Sequence, residues 1–213
     1  MLDAGSSRAH TRSFLDELPT QPDAVLFTHS HWDHVFGAVE IGGRVLACSA
    51  TVEKLRAMAL RDWNDEQNVN EHIRQELPAP RTVEIVPVDV TFEEQLDLDL
   101  GGVTVHARRV EADHCEDAVI VYVGPDRLLF LGDALCPAPS GPMTEAVAFP
   151  LFDTVLAYDA EHFVEGHHPA VTNRAEMREL LDKARAAARG EGDPMDADSQ
   201  AFLTAFAAGR DLH

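Results

Sequence analysis

The chemistry this chain could do is concentrated in one short stretch. His29-Ser30-His31-Trp32-Asp33-His34 places four metal-ligating side chains within six positions. Two imidazoles at i and i+2 on extended backbone point to the same side. Asp33 and His34 follow where the chain is expected to turn into a helix, so the set can face two neighbouring metal ions. Imidazole and carboxylate ligands suit zinc, which keeps an open coordination position when it is catalytic. A bound metal lowers the pKa of water toward neutrality and so supplies a nucleophile at pH 7. Two metals ~3.5–4 Å apart can also polarise a substrate carbonyl or phosphoryl oxygen. Chance clustering is the bland alternative in a chain with 11 histidines, but it does not account for the aspartate and the apolar run that precedes the cluster.

That run, Ala24-Val25-Leu26-Phe27, predicts a buried strand leading into the cluster. Ahead of it, Ser6 or Ser7 caps a helix reaching Leu18 and ended by Pro19. After it come a short helix over 35–41 stopped by Gly42-Gly43, a strand over 44–48 and a helix over 51–61. A polar, helical stretch over 62–76 ends at Pro78 and Pro80. Part of 51–77 is expected to cap the site, with Met58 and Trp63 meeting an apolar portion of a substrate or serving as core. Beyond the prolines the period changes. Val83-Ile85-Pro87, Phe92, Leu96-Leu98-Leu100 and Val103-Val105 alternate like half-buried antiparallel strands, with Gly101-Gly102 as a hairpin signal. Residues 118–123 and 128–131 form a second hairpin across Gly124-Pro125-Asp126-Arg127. A helix over 149–158, a strand at Phe163-Val164-Glu165, an amphipathic helix over 175–189 and a last helix over 199–208 complete the chain. There is no internal repeat and no domain-scale shift in composition, so 1–213 reads as a single domain with C-terminal helices within 175–208.

Composition narrows the function class. The 213 residues are 45% hydrophobic and 25% charged, ordinary for a globular chain. No run approaches the ~18 apolar residues that span a bilayer. Lys and Arg number 17 against 37 Asp and Glu, a net charge of −20. A field of that sign repels phosphate backbones and anionic membranes, so the expected partner is a small-molecule substrate, with neither nucleic acid nor membrane. Three cysteines, Cys48, Cys115 and Cys136, are too few and odd in number for a disulfide framework. They fit a reducing, cytoplasmic setting, and no basic and apolar leader precedes the first motif.

The pattern His29-x-His31-x-Asp33-His34 after Val25-Leu26-Phe27-Thr28 resembles the signature of the metallo-β-lactamase superfamily. Four further motifs follow in family order. Leu2-Asp3-Ala4-Gly5 resembles the first, an aspartate that buttresses the metal loop. Asp113-His114 is similar to the third, Phe130-Leu131-Gly132-Asp133-Ala134 to the fourth and Glu165-Gly166-His167 to the fifth. The resemblance implies a four-layer αββα sandwich of the α+β class. It implies one metal held by His29, His31 and His114 and a second held by Asp33, His34 and His167, bridged by Asp133 and a water or hydroxide. Asp33 would also handle the proton of the nucleophile. Without the family, Asp3 beside Gly5 reads as a turn, His114 as a loop histidine and Asp133 as a helix cap. Of His167 and His168 only one should reach the metals, because neighbours on a strand face opposite ways. Cys115, beside His114, reads as a small buried residue.

Three departures refine the expected activity. The family's usual N-terminal strands have no counterpart ahead of Leu2, and an uncovered sheet edge favours self-association into a homo-oligomer. The third motif reads Asp113-His114-Cys115-Glu116-Asp117 in place of the Gly-His-Thr pattern of glyoxalase-II-like enzymes and acyl-homoserine-lactone lactonases. The fourth carries Asp133 and not the cysteine of many true β-lactamases, and His31 stands where the flavodiiron branch has Glu. The implied enzyme is a hydrolase with two zinc ions, acting on a small ester, thioester, lactone or related bond. The alternatives are a mononuclear iron sulfur dioxygenase with His29, His114 and Asp133 as a facial triad, and an inactive truncated fragment. Arg108 and Arg109 are candidates for binding a substrate carboxylate.

Overall fold

A computed structural model describes residues 1–139, 141–168 and 170–207. The last-helix expectation at Ala208 lies outside the described residues. The chain forms two compact units, residues 1–93 and the residues from 94 onward.

The first unit is built on a parallel sheet of β1 (Ala24–Leu26), β2 (Arg44–Cys48) and β3 (Val90–Phe92), in that order. Val25 pairs with Val45 and Leu46 with Val90. Parallel neighbours need long crossovers. The first contains α2 (Trp32–Val35) and a 3-10 turn over Ala38–Glu40; the second contains α3 (Ser49–Ala59), a 3-10 turn over Glu66–Asn68 and α4 (Glu71–Glu76). On the far edge of β1, Leu2 makes a parallel bridge to Leu26, with the Leu26 N–H donating to the Met1 carbonyl at 3.0 Å and the Asp3 N–H to the Leu26 carbonyl at 3.0 Å. Val25, Phe27, Val45 and Ala47 meet Phe36, Leu55, Trp63 and Ile73 in one apolar core. Trp63 packs edge-on against Phe36 at 4.8 Å, so it serves as core, the blander of its two expected uses.

Two expectations are corrected here. Helix α1 (Arg8–Leu15) starts where expected, the Ser7 side chain accepting from the His10 N–H, but stops three residues before Leu18. Only Leu15 of its apolar residues is buried; Phe14 and Leu18 stay exposed and supply no stripe to extend the helix. The alternation at Val83-Ile85-Pro87 makes no strand. Val83 and Ile85 pack against the core without pairing in a sheet, and Pro87 cannot donate to a ladder. The first strand after the prolines is β3, and it pairs parallel, not antiparallel.

The second unit carries six strands in sequence order: β4 (Gln95–Asp99), β5 (Thr104–Arg109), β6 (Val119–Val123), β7 (Leu128–Gly132), β8 (His162–Glu165) and β9 (Thr172–Asn173). The first four form the two expected antiparallel hairpins. Gly101 and Gly102 at the first turn take φ of 78° and 111°, values that L side chains rarely adopt. Strand β8 joins β7 in parallel through α5 (Glu145–Ala157), which begins four residues earlier than the sequence suggests. Helix α6 (Arg174–Ala188) opens with a capping box between Asn173 and Glu176, and α7 (Ala197–Ala207) follows. Ile120, Leu129, Leu131 and Phe163 pack with Phe152, Met177, Leu181 and Phe206 of the three helices. Among the described residues, no helix is long and apolar enough to cross a membrane.

Candidate metal centre

The first unit gathers His29, His31, Asp33 and His34 just past the end of β1. Phe27 is fully buried and anchors the chain as it leaves the sheet. His31 keeps extended backbone at the N-terminus of α2, and Asp33 falls in that helix's first turn. The His29 ring lies 4.6 Å from that of His31 and 4.1 Å from that of His34, centroid to centroid. His29 and His34 are buried. The His34 Nε2 is 4.0 Å from the Asp33 Oδ2.

A small network sets the orientation of this cluster. Asp3 is buried and sits at φ 53°, a left-handed conformation that Asp tolerates better than most residues. Its Oδ1 accepts the Thr28 N–H at 2.8 Å. Its Oδ2 accepts the Thr28 hydroxyl at 2.8 Å and pairs with His34 Nδ1 at 2.8 Å. A carboxylate only accepts, so Nδ1 of His34 carries a proton. Thr28 has spent its one hydroxyl proton on Asp3 and therefore accepts from His29 Nδ1, 3.0 Å away. When these rings are neutral, Nε2 is the lone-pair nitrogen, the form in which histidine binds a metal.

The second unit gathers His114, Asp133 and His167. Asp133 directly follows Gly132, whose φ of 51° and local shift in β7–β8 register turn the chain at the end of β7. The Asp133 side chain is 4% exposed. His114 lies on the β5–β6 loop, and its Nδ1 faces the Pro137 carbonyl at 2.9 Å. A carbonyl can only accept, so Nδ1 carries a proton, and in the neutral ring Nε2 is the lone-pair nitrogen. That Nε2 lies 3.4 Å from Asp133 Oδ2, and the Nε2 of His167 lies 3.1 Å from the same oxygen. With the His114 ring neutral, its Nε2 lone pair and a carboxylate oxygen face each other, an arrangement that a cation would relieve, and this donor set of imidazole and carboxylate fits a metal. His168 instead turns to its own chain, with Nδ1 at 3.2 Å from the Ala170 carbonyl. His167 and His168 both lie beyond the end of β8, so the strand alternation expected for them does not apply.

Neighbouring ionisable groups are perturbed. Burial raises the Glu165 carboxyl above its ordinary range; His168 opposes the shift, and Asp133 and Asp198 add to it. Burial pushes the Cys136 thiol up to about 12, with the Asp133 and Glu165 carboxylates adding. Cys115 packs into the second unit's core. Arg109 is spent on the fold, donating from Nε and Nη2 to the Glu116 carbonyl at 3.2 and 3.0 Å. Arg108 lines a shallow groove beside Asp97 and His106. Sequence reasoning did not single out Thr28 for the hydroxyl linking Asp3 to His29, although its place directly before a ligand-type histidine was a usable signal. It had no means of finding the Pro137 carbonyl, because a backbone acceptor has no residue-type signature.

His29, His31, Asp33 and His34 of the first unit, and His114, Asp133 and His167 of the second, are the histidine and aspartate groups of the described residues that could hold a metal ion. The chain shares its fold with solved metallo-β-lactamase structures. A metallo-β-lactamase from Pontibacter korlensis is 18% identical with a TM-score of 0.60, over 84% of this chain and 79% of that one. An archaeal metallo-β-lactamase superfamily protein from Sulfolobus tokodaii is 19% identical with a TM-score of 0.62, over 99% and 88%. A stereoselective inverting sec-alkylsulfatase from Pseudomonas sp. is 17% identical with a TM-score of 0.61, over 89% of this chain but 38% of its own. No protein of curated function matches the chain in sequence. Residues 1–194 match the family model of the metallo-beta-lactamase superfamily, and the chain belongs to that superfamily.

Proposed function

We propose that this chain is a metal-dependent hydrolase. In this reading His29, His31, Asp33, His34, His114, Asp133 and His167 would hold two zinc ions. The observation that carries the reading is a shared contact pattern. Nδ1 of each of His29, His34 and His114 lies beside an oxygen, at 3.0, 2.8 and 2.9 Å, which in the neutral ring leaves Nε2 as the ligand nitrogen. Metals bound there would supply a water acidic enough to attack at neutral pH and a Lewis acid for the substrate's electrophilic group.

The chain's own groups do the rest. Asp33 takes the proton from the attacking water and returns it to the leaving oxygen or sulfur as the carbonyl carbon's bond to that atom breaks. Products are then a carboxylic acid and an alcohol or thiol. Asp3 and Thr28 hold the rings of His34 and His29 while this occurs. The substrate class is a small ester, thioester, lactone or related compound.

The test is the metal content of protein purified without chelator, read by elemental mass spectrometry and followed by assays on esters, thioesters and lactones. Two zinc equivalents per chain with turnover on one of those classes is the expected result. A single iron with little zinc, and oxygen uptake with a persulfide, would replace this reading by the mononuclear iron dioxygenase.

A further inference from the structure

The third motif departs from the usual family pattern at Asp113, and the structure gives that residue a task. The β5–β6 loop, residues 110–118, is held at three kinds of place. At its base the Val110 N–H donates to the Ala118 carbonyl at 2.8 Å, and Arg109 clamps the Glu116 carbonyl. Inside it, Val110, Ala112 and Cys115 are buried in the second unit's core. At its tip, Asp113 Oδ2 accepts the Thr144 N–H at 2.9 Å and Oδ1 accepts the Thr144 hydroxyl at 3.0 Å. Thr144 is the N-cap of α5 but caps nothing with its own side chain. The adjacent residue, His114, reaches the Pro137 carbonyl.

Both tip contacts therefore land on the stretch of chain that runs from Asp133 to α5. Asp133 begins that stretch, with the Cys136 N–H donating to its carbonyl at 2.8 Å. The far end is fixed by the Met143 N–H donating to the Ala205 carbonyl at 3.0 Å. The base clamp and the buried Val110, Ala112 and Cys115 hold the loop as a whole. The bidentate carboxylate of Asp113 adds a tie directly beside His114, whose Nε2 lies 3.4 Å from Asp133 Oδ2.

We infer that Asp113 is a positioning residue for metal binding: by holding Thr144 it sets the angle at which His114 meets the metal beside Asp133. This rests on the assignment of His114 as a ligand. A glycine at this place, the usual family residue, has no side chain with which to make the tie.

The experiment uses the full chain with cobalt(II) and with zinc. Metal affinity is read by chelator competition, ligand geometry by the cobalt visible spectrum, and metal-free stability by thermal melting. Asp113→Ala is expected to weaken metal binding about tenfold, the lower end of what losing an outer-sphere support costs, and to shift the cobalt spectrum. Asp113→Asn is expected to restore both, because its amide oxygen can accept the Thr144 N–H and its NH2 can donate to the Thr144 hydroxyl. Thr144→Val keeps the N–H and loses the hydroxyl, so it should fall between. If Asp113→Ala lowers only the melting temperature, leaving affinity and spectrum as in the wild type, the residue is a helix cap and the inference is wrong. His114→Ala separates the two ideas. If it loses metal while Asp113→Ala does not, the positioning role fails alone; if it keeps both metal and spectrum, the ligand assignment fails.

Discussion

Asp3 offers the sharpest test of how the first unit prepares its histidines, because two substitutions there ask different questions. Its carboxylate accepts three hydrogen bonds, from the Thr28 N–H, the Thr28 hydroxyl and His34 Nδ1. Asp3→Ala removes the acceptor of all three bonds from a buried place and puts an alanine at φ 53°. One unsatisfied buried donor costs about 1–3 kcal/mol and left-handed backbone about 1–2 kcal/mol, so with at least one donor stranded the metal-free protein should lose about 2–5 kcal/mol. Asp3→Asn keeps size and tolerates the backbone, and its Oδ1 still accepts the Thr28 N–H. Its NH2 group, however, now faces two donors. The conflict is relieved if Thr28 turns its hydroxyl and the His34 ring moves its proton from Nδ1 to Nε2, the wrong-tautomer effect known from Asp-to-Asn changes beside an active-site histidine. A protonated Nε2 cannot ligate. Recovering the binding tautomer then leaves a buried donor facing a donor, and zinc affinity should fall about 10–100-fold, or roughly 1.4–2.8 kcal/mol. Chelator-competition titration measures the affinity, and urea unfolding of metal-free protein measures stability. An Asp3→Asn protein that binds zinc within about twofold of wild type, well inside the loss expected of such a contact, would refute the tautomer argument.

Two other predictions need only stability measurements. A Cβ at Gly37 would overlap the Thr11 hydroxyl and the Ala4 carbonyl oxygen, both held in place by their own hydrogen bond. Because one obstacle is backbone, Gly37→Ala should cost at least about 3 kcal/mol by urea unfolding, the upper end of overpacking; a loss under about 1 kcal/mol would show that the Ala4 turn yields freely. At the start of α7, the Ser199 N–H and then Lys183 hold the Asp196 carboxyl below its ordinary 3.8. A depressed folded value stabilises the fold fully above the ordinary value and loses that contribution as pH falls through the folded one. The melting-temperature gap between wild type and Asp196→Asn should therefore hold steady down to about pH 5, shrink below 3.8 and close under the folded value; a gap unchanged at the acid end contradicts the assignment.

What could be read from the sequence was set by how local the cause was. Strand β2 coincides with its expected span because four of its five residues are buried, and a continuous apolar run allows little else. The hairpin at Gly101-Gly102 was legible because a tight turn needs glycine there. The misreading at Val83-Ile85-Pro87 has the same root: alternation reports that a face is half-buried, not that a neighbour supplies a ladder. His29, His31, Asp33 and His34 stood out as a cluster after an apolar run, whereas His114, Asp133 and His167 were marked only by their likeness to the family's motifs. Their orientation did not stand out, since it rests on a threonine hydroxyl, a backbone carbonyl and a threonine N–H, which resemble any others in a sequence.

The two orienting networks share a design with an energetic consequence. In the first unit, Asp3 and Thr28 fix His29 and His34 within a sequence span of residues 3–34. In the second, Pro137 fixes His114, and Asp113 ties the same loop to Thr144, within residues 113–144. Each network uses bonds among protein atoms alone, so ring tautomer and direction are set before any ion arrives. A metal then meets rings that have already lost their rotational freedom, and less of its binding energy goes into ordering ligands. Defects in either network should accordingly appear first as weaker metal binding, and as unfolding only where, as in Asp3→Ala, a buried donor is left facing nothing.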